Sequence, residues 1–124
     1  MPSPPASPWR AAADQMRIAL RNLLANADRH SSTDDEIRVA VREQEGAVRI
    51  EVSNAGARIP EPERERLFQK YYRGQNATRH PGAGLGLYLV SSIAARLGGS
   101  VALEAAGGVE PVRFCITLPH LRAG

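Results

Sequence analysis

The sequence predicts a two-layer α/β sandwich of the α+β kind: a mostly antiparallel mixed sheet with about three helices on one face. Three observations lead there. The elements run helix, two strands, short helix, loop, helix, two strands. Both strand pairs alternate apolar and polar residues around a polar or glycine turn, the pattern of antiparallel hairpins with one buried face. Each long helical segment carries a single apolar stripe, which must be buried against the sheet. A chain of 124 residues suits one domain with one core.

Four prolines fall within the first eight residues, a composition that resists helix and offers nothing to bury. Residues 1–13 therefore read as a proline-rich linker or a cut edge, and residues 14–124 as the domain. From about Asp14 to His30, Met16, Leu20, Leu23, Leu24 and Ala27 recur at helical spacing, with Arg17, Arg21 and Arg29 off that stripe. The runs Ile37–Arg42 and Val48–Val52 flank a polar turn containing Gly46, giving the first hairpin. After Pro60, acidic residues at the start of Glu61–Leu67 predict a short helix, because they suit its positive end.

An irregular glycine- and arginine-containing stretch covers Arg73 to Gly84. Beyond it Leu85, Leu89, Ile93 and Leu97 step by four, with Val90 and Ala94 widening the stripe, until Gly98-Gly99 stops the helix. The second hairpin pairs Val101–Leu103, across Gly107-Gly108, with a strand in which Val112, Phe114, Ile116 and Leu118 alternate with Arg113, Cys115 and Thr117.

The 16 basic and 13 acidic residues leave a net charge of +3. The arginines are scattered, a distribution that argues against nucleic acid and for local anion contacts. One cysteine, Cys115, allows no disulfide within the chain, so a reducing cytoplasmic setting is expected. No apolar run reaches membrane-spanning length and no secretory pattern opens the chain, so no direct membrane contact is expected of this segment.

Two segments carry chemistry. Gly82-Ala83-Gly84-Leu85-Gly86-Leu87 is a glycine-rich turn entering a helix, where backbone amides and the helix start favour phosphate. Such turns also serve close packing. The spacing is that of neither a P-loop nor the dinucleotide fingerprint. On the first helix Asn22 and Asn26 share a face that Arg29 and His30 extend. An asparagine oxygen suits magnesium that takes its other ligands from phosphates and water. The alternative is that Asn26 borders the core and His30 is a C-terminal-turn cation.

Together these segments resemble a known family. Asn22–Ser31 resembles the N box of histidine kinases, within the Bergerat-fold (GHKL) ATPase superfamily; Val52–Pro60 resembles the G1 box, Leu67–Gly74 the F box and Gly82–Leu87 the G2 box. The four motifs stand in the family's order and span nearly the whole chain. The resemblance implies ATP and Mg²⁺ as ligands, with Asn26 coordinating the metal, Asn22 supporting it and Arg29 facing the phosphates. It places His30 near nucleotide, not as a phosphorylation site. Arg73 would reach the γ-phosphate, with Lys70 beside it, so Arg73 and Asn26 are the residues expected to act in catalysis. Gly82, Gly84, Leu85, Gly86 and Leu87 would hold phosphate and lid, and Gly56, Ile59 and Tyr72 complete the lining. Phe68, Tyr71 and Tyr72 read as packing that anchors the lid, residues 75–81.

The chain departs from the family in its G1 box. The usual Asp-x-Gly-x-Gly becomes Asn54, Gly56 and Arg58. An asparagine carbonyl still accepts the adenine amino group, without charge assistance, while its NH₂ could turn to guanine. Arg58 reads as a solvated surface residue. None of His30, His80 and His120 has an acidic-flanked helical context like the family's phosphoacceptor. The resemblance thus implies a catalytic domain acting on a histidine in an absent dimerisation domain and feeding a response regulator. It would be a monomer alone and a homodimer in the full kinase, which membrane anchoring would suit. An anti-sigma-type serine kinase and a degenerate nucleotide-binding regulatory module are the competing readings.

Overall fold

The computed structural model describes residues 8–30, 36–70 and 86–119. Helix α1 covers Pro8–His30, strand β1 Arg38–Gln44, β2 Ala47–Asn54, helix α2 Glu61–Arg64, α3 Gly86–Arg96, β3 Ser100–Ala106 and β4 Val112–Pro119. All strand pairs are antiparallel in the order β1-β2-β4-β3, so the two hairpins join through β2 and β4.

Alternation decides the two faces of this sheet. Val48, Ile50 and Val52 of β2 lie level with Leu118, Ile116 and Phe114 of β4, and Ile116 with Val101 of β3. Against them pack Ala19, Leu23 and Ala27 of α1 and Val90, Ile93 and Ala94 of α3, forming one core cluster. On the opposite face stand Arg49, Glu51 and Ser53, level with Thr117, Cys115 and Arg113.

The turns follow local chemistry. Glu45 and Gly46 connect β1 to β2 with φ of 50° and 78°, the double left-handed geometry whose twist matches the flanking strands. At the end of α3, Gly99 donates to the Ala94 carbonyl at 2.8 Å and Gly98, at φ 83°, to the Ala95 carbonyl at 3.0 Å. These bonds make the Schellman arrangement that the glycine pair predicts.

Four expectations need correction. Helix α1 begins at Pro8, not near Asp14, because proline is well placed in a first helical turn and Ala11–Ala13 continue it. Its buried stripe runs Ala19–Leu23–Ala27, which leaves Leu24 38% exposed. The short helix is one turn: after Glu61–Arg64, Arg66 bonds to Glu63 and Gln69 to Arg66, three-residue steps in place of a continued α-helix. Strand β1 lacks a buried face, with Val39 49% and Val41 67% exposed. It lies at the sheet edge beyond the helix layer, so alternation there does not report burial.

Candidate functional site

Three elements deliver polar groups to the rim of the core. Asn22 and Asn26 lie on α1, both half-buried, with Leu23 and Ala27 beside them in the core. Asn22 donates its amide to the Ile18 carbonyl one turn back, at 2.8 Å, which leaves its side-chain oxygen as an acceptor. Among the described residues the Asn26 side chain has no hydrogen-bond partner. A half-buried amide without a partner is costly unless water or a ligand satisfies it.

Asn54 ends β2 and is 4% exposed, the one buried polar residue among those described. Its NH₂ donates to the Ala55 carbonyl at 3.0 Å, and the Nδ2 end is thereby fixed, since a carbonyl can only accept. No donor among the described residues reaches Oδ1.

The segment after Asn54 is buttressed by the β3–β4 turn. Gly108 donates to the Gly56 carbonyl at 3.0 Å, and Ile59 donates to Ala106 at 2.7 Å. Gly107 has φ 89°, and a Cβ there would lie 2.5 Å from the Ala57 carbonyl oxygen. The paired glycines mark this turn in the sequence, whereas its contact with residues 56–59 is a tertiary fact that no local pattern carries. Arg58 is exposed and, unlike Glu45, has no positive φ. Arginine therefore stands there without left-handed strain.

Helix α3 begins at Gly86, and Leu87 packs on the core with Ile59, Leu67 and Phe68. Phe68 meets Phe114 edge-on, with centroids 5.9 Å apart and planes at 88°, which fits its expected packing role. Lys70 places its ammonium 5.7 Å from the Tyr88 ring centre, which sets it beside the first turn of α3. Of the remaining candidates, Arg29 and His30 belong to α1 but their side chains lie outside the described residues, as do Tyr72, Arg73, Gly82, Gly84 and Leu85.

A second cluster occupies the opposite face. Donor atoms of Glu51, Glu104 and Cys115 lie within 4.8 Å of one another. The register shift between Leu103 and Ala105 aims Glu104 at this point. Arg49 bonds to Glu104 and stands 3.7 Å from Glu51, so a guanidinium already supplies the cluster's cation. Its hydrogen bond to Glu104 raises the Arg49 pKa, and burial raises that of the Cys115 thiol.

Comparison with known proteins places this arrangement. The family model of histidine kinase-, DNA gyrase B- and HSP90-like ATPases matches residues 11–122. The chain belongs to that ATPase family. Among its relatives, the probable sensor kinase SilS of Salmonella typhimurium is 36% identical over 107 residues, 85% of this chain and 21% of that protein. The signal transduction histidine-protein kinase/phosphatase MprB of Mycolicibacterium paratuberculosis is 34% identical over 119 residues, 91% of this chain and 23% of that protein. The chain thus spans between a fifth and a quarter of these relatives.

Solved structures agree on the fold. The mycobacterial sensor histidine kinase MprB superposes with a TM-score of 0.78 at 24% identity, over 89% of this chain and 75% of that one. A nucleotide-free catalytic domain of histidine kinase ThkA gives 0.73 at 25% identity, over 86% of this chain and 67% of that one. Among the described residues no helix is long and apolar enough to cross a membrane.

Proposed function

We propose that this chain is the catalytic domain of a two-component sensor histidine kinase. It holds ATP with magnesium and presents the γ-phosphoryl group to a histidine on a separate dimerisation and phosphoacceptor domain, from which the group passes to a response regulator. The observation that carries this reading is the orientation of Asn54. Its NH₂ donates to Ala55 and no donor among the described residues takes its oxygen, the polarity that matches the adenine amino group better than the guanine carbonyl.

Asn26 fits a magnesium ligand, being a neutral, half-buried amide whose side chain has no partner among the described residues. Magnesium, when bound, offsets charge on the phosphate oxygens. Asn22 supports Asn26 from the preceding turn. Arg29, His30, Lys70 and Arg73 supply further donors, and Gly82, Gly84 and Gly86 backbone amides, as the motif match implies. The domain would work in the cytoplasm, within a homodimeric and membrane-anchored kinase, and as a monomer alone.

Calorimetry with ATP, with and without Mg²⁺, tests the reading in wild type and Asn26→Ala. The expected result is magnesium-dependent binding that the variant weakens at least tenfold. A histidine-bearing helical domain is then supplied and acid-labile phosphate sought. Absent ATP affinity would replace the proposal with a degenerate module. Binding without transfer would favour a regulator, and acid-stable phosphoserine a serine kinase.

A further inference from the structure

The polar face of the sheet holds a concavity whose arginines the nucleotide reading does not use. Arg38 of β1 is level with Ser53 of β2, which is level with Arg113 of β4. These three residues form one row on the face opposite α1 and α3. Glu36, Ala55 and Pro111 close around them, with Asn54 at the border, to make a pocket of about 490 Å³.

Arg113 is half-buried and, among the described residues, its side chain has no hydrogen-bond or ion-pair partner. Among the described residues the Arg38 side chain has a single ion pair, to Glu36 at 3.9 Å, with both side chains at least 80% exposed. Such a pair is too weak to hold the guanidinium against a better acceptor. Neighbouring strands are about 4.8 Å apart, so the two arginines rise roughly 10 Å from each other with a hydroxyl between them. Both side chains are long enough to converge on one anion above Ser53.

We infer that Arg38, Ser53 and Arg113 form a binding site for a phosphate group on the face opposite the proposed nucleotide site. Two guanidiniums approaching from opposite sides and a central hydroxyl exceed what a planar carboxylate uses, since one arginine satisfies that bidentately. A tetrahedral dianion offers oxygens to all three. Glu36 at the rim would accept a hydroxyl of an esterified group. The phosphate could be free or carried by a small phosphate monoester, and the two sources differ in affinity.

The test is an amide-resolved NMR titration of the chain at low ionic strength with inorganic phosphate, repeated with glycerol 3-phosphate. Saturable shifts are expected at Ser53, Ala55 and Arg113. Arg113→Gln should weaken them at least tenfold and Arg38→Gln several-fold, while Arg96→Gln on α3 leaves them unchanged. Tighter binding of the monoester assigns a phosphorylated small molecule, and equal or weaker binding assigns free phosphate. Thermal melts of each variant check folding, and exposed Arg38 provides a substitution that does not disturb the core. Shifts that fail to saturate, that survive both substitutions, or that are confined to Gly86–Tyr88 overturn the site.

Discussion

The amide nitrogen of Asn54 donates to the carbonyl of its neighbour Ala55 at 3.0 Å, which leaves the asparagine oxygen as the end that can accept from a ligand. In Asn54→Asp the acceptor remains and gains charge, while the donor to Ala55 is lost. A charged acceptor is about twice as strong as a neutral one, so ATP binding should tighten roughly fivefold. The melting temperature should fall by a few degrees, because a carboxylate oxygen now faces the Ala55 carbonyl. Calorimetry and a thermal melt read both effects, and an unchanged or looser affinity removes Asn54 from base recognition.

Gly107 and Gly46 separate two costs of a side chain at positive φ. In Gly46→Ala nothing lies within 4 Å of the new methyl, so only the left-handed backbone penalty applies, about 1 kcal/mol. In Gly107→Ala the methyl also meets the Ala57 carbonyl oxygen at 2.5 Å, and a loss of about 2–4 kcal/mol is expected. Urea unfolding of the two variants should differ accordingly; equal midpoints would mean that the turn does not buttress residues 56–59.

Phe68 ties the segment after α2 to the sheet through Phe114, which is 3% exposed. Phe68→Ala should cost about 2 kcal/mol and lower the melting temperature by roughly 8 °C, with Phe68→Leu restoring part of the loss. A melt within a degree of wild type would show that the edge-on contact contributes nothing.

Burial raises the Cys115 thiol above its ordinary pKa, and the sign of the consequence is fixed. Stability from this group is fully present below the unfolded thiol pKa, about 8.5, and is lost as pH rises through that value toward the higher folded one. Urea midpoints at pH 7 and pH 10 should therefore fall further in wild type than in Cys115→Ala. Identical falls would show that the thiol titrates alike in both states.

Much of the fold is written locally. Gly46, the Gly98-Gly99 pair and the alternation from Val112 to Leu118 each fix a turn or a strand through short-range sterics and burial. Strand β1 misleads for a physical reason: Val39 and Val41 alternate correctly, but whether a helix covers them depends on sheet order, which alternation does not encode. The same limit applies to the candidate site. That Asn22 and Asn26 share a face follows from helix geometry alone. Which end of Asn54 is spoken for depends on the path of the chain at Ala55. Arg38, Ser53 and Arg113 are three unremarkable polar positions until register sets them in a row.

The place of β4 has a consequence for how the chain acquires its shape. It is the last of the four described strands to leave a ribosome, yet it lies between β2 and β3 and contributes Val112, Phe114 and Ile116 to the core. Until Val112–Pro119 emerges, the first hairpin and β3 have no shared partner, and an isolated hairpin is marginal in water. Synthesis therefore runs nearly to the end of β4 before collapse becomes favourable, and a stall before Val112 leaves a nascent chain with open strand edges for chaperones or proteases to find.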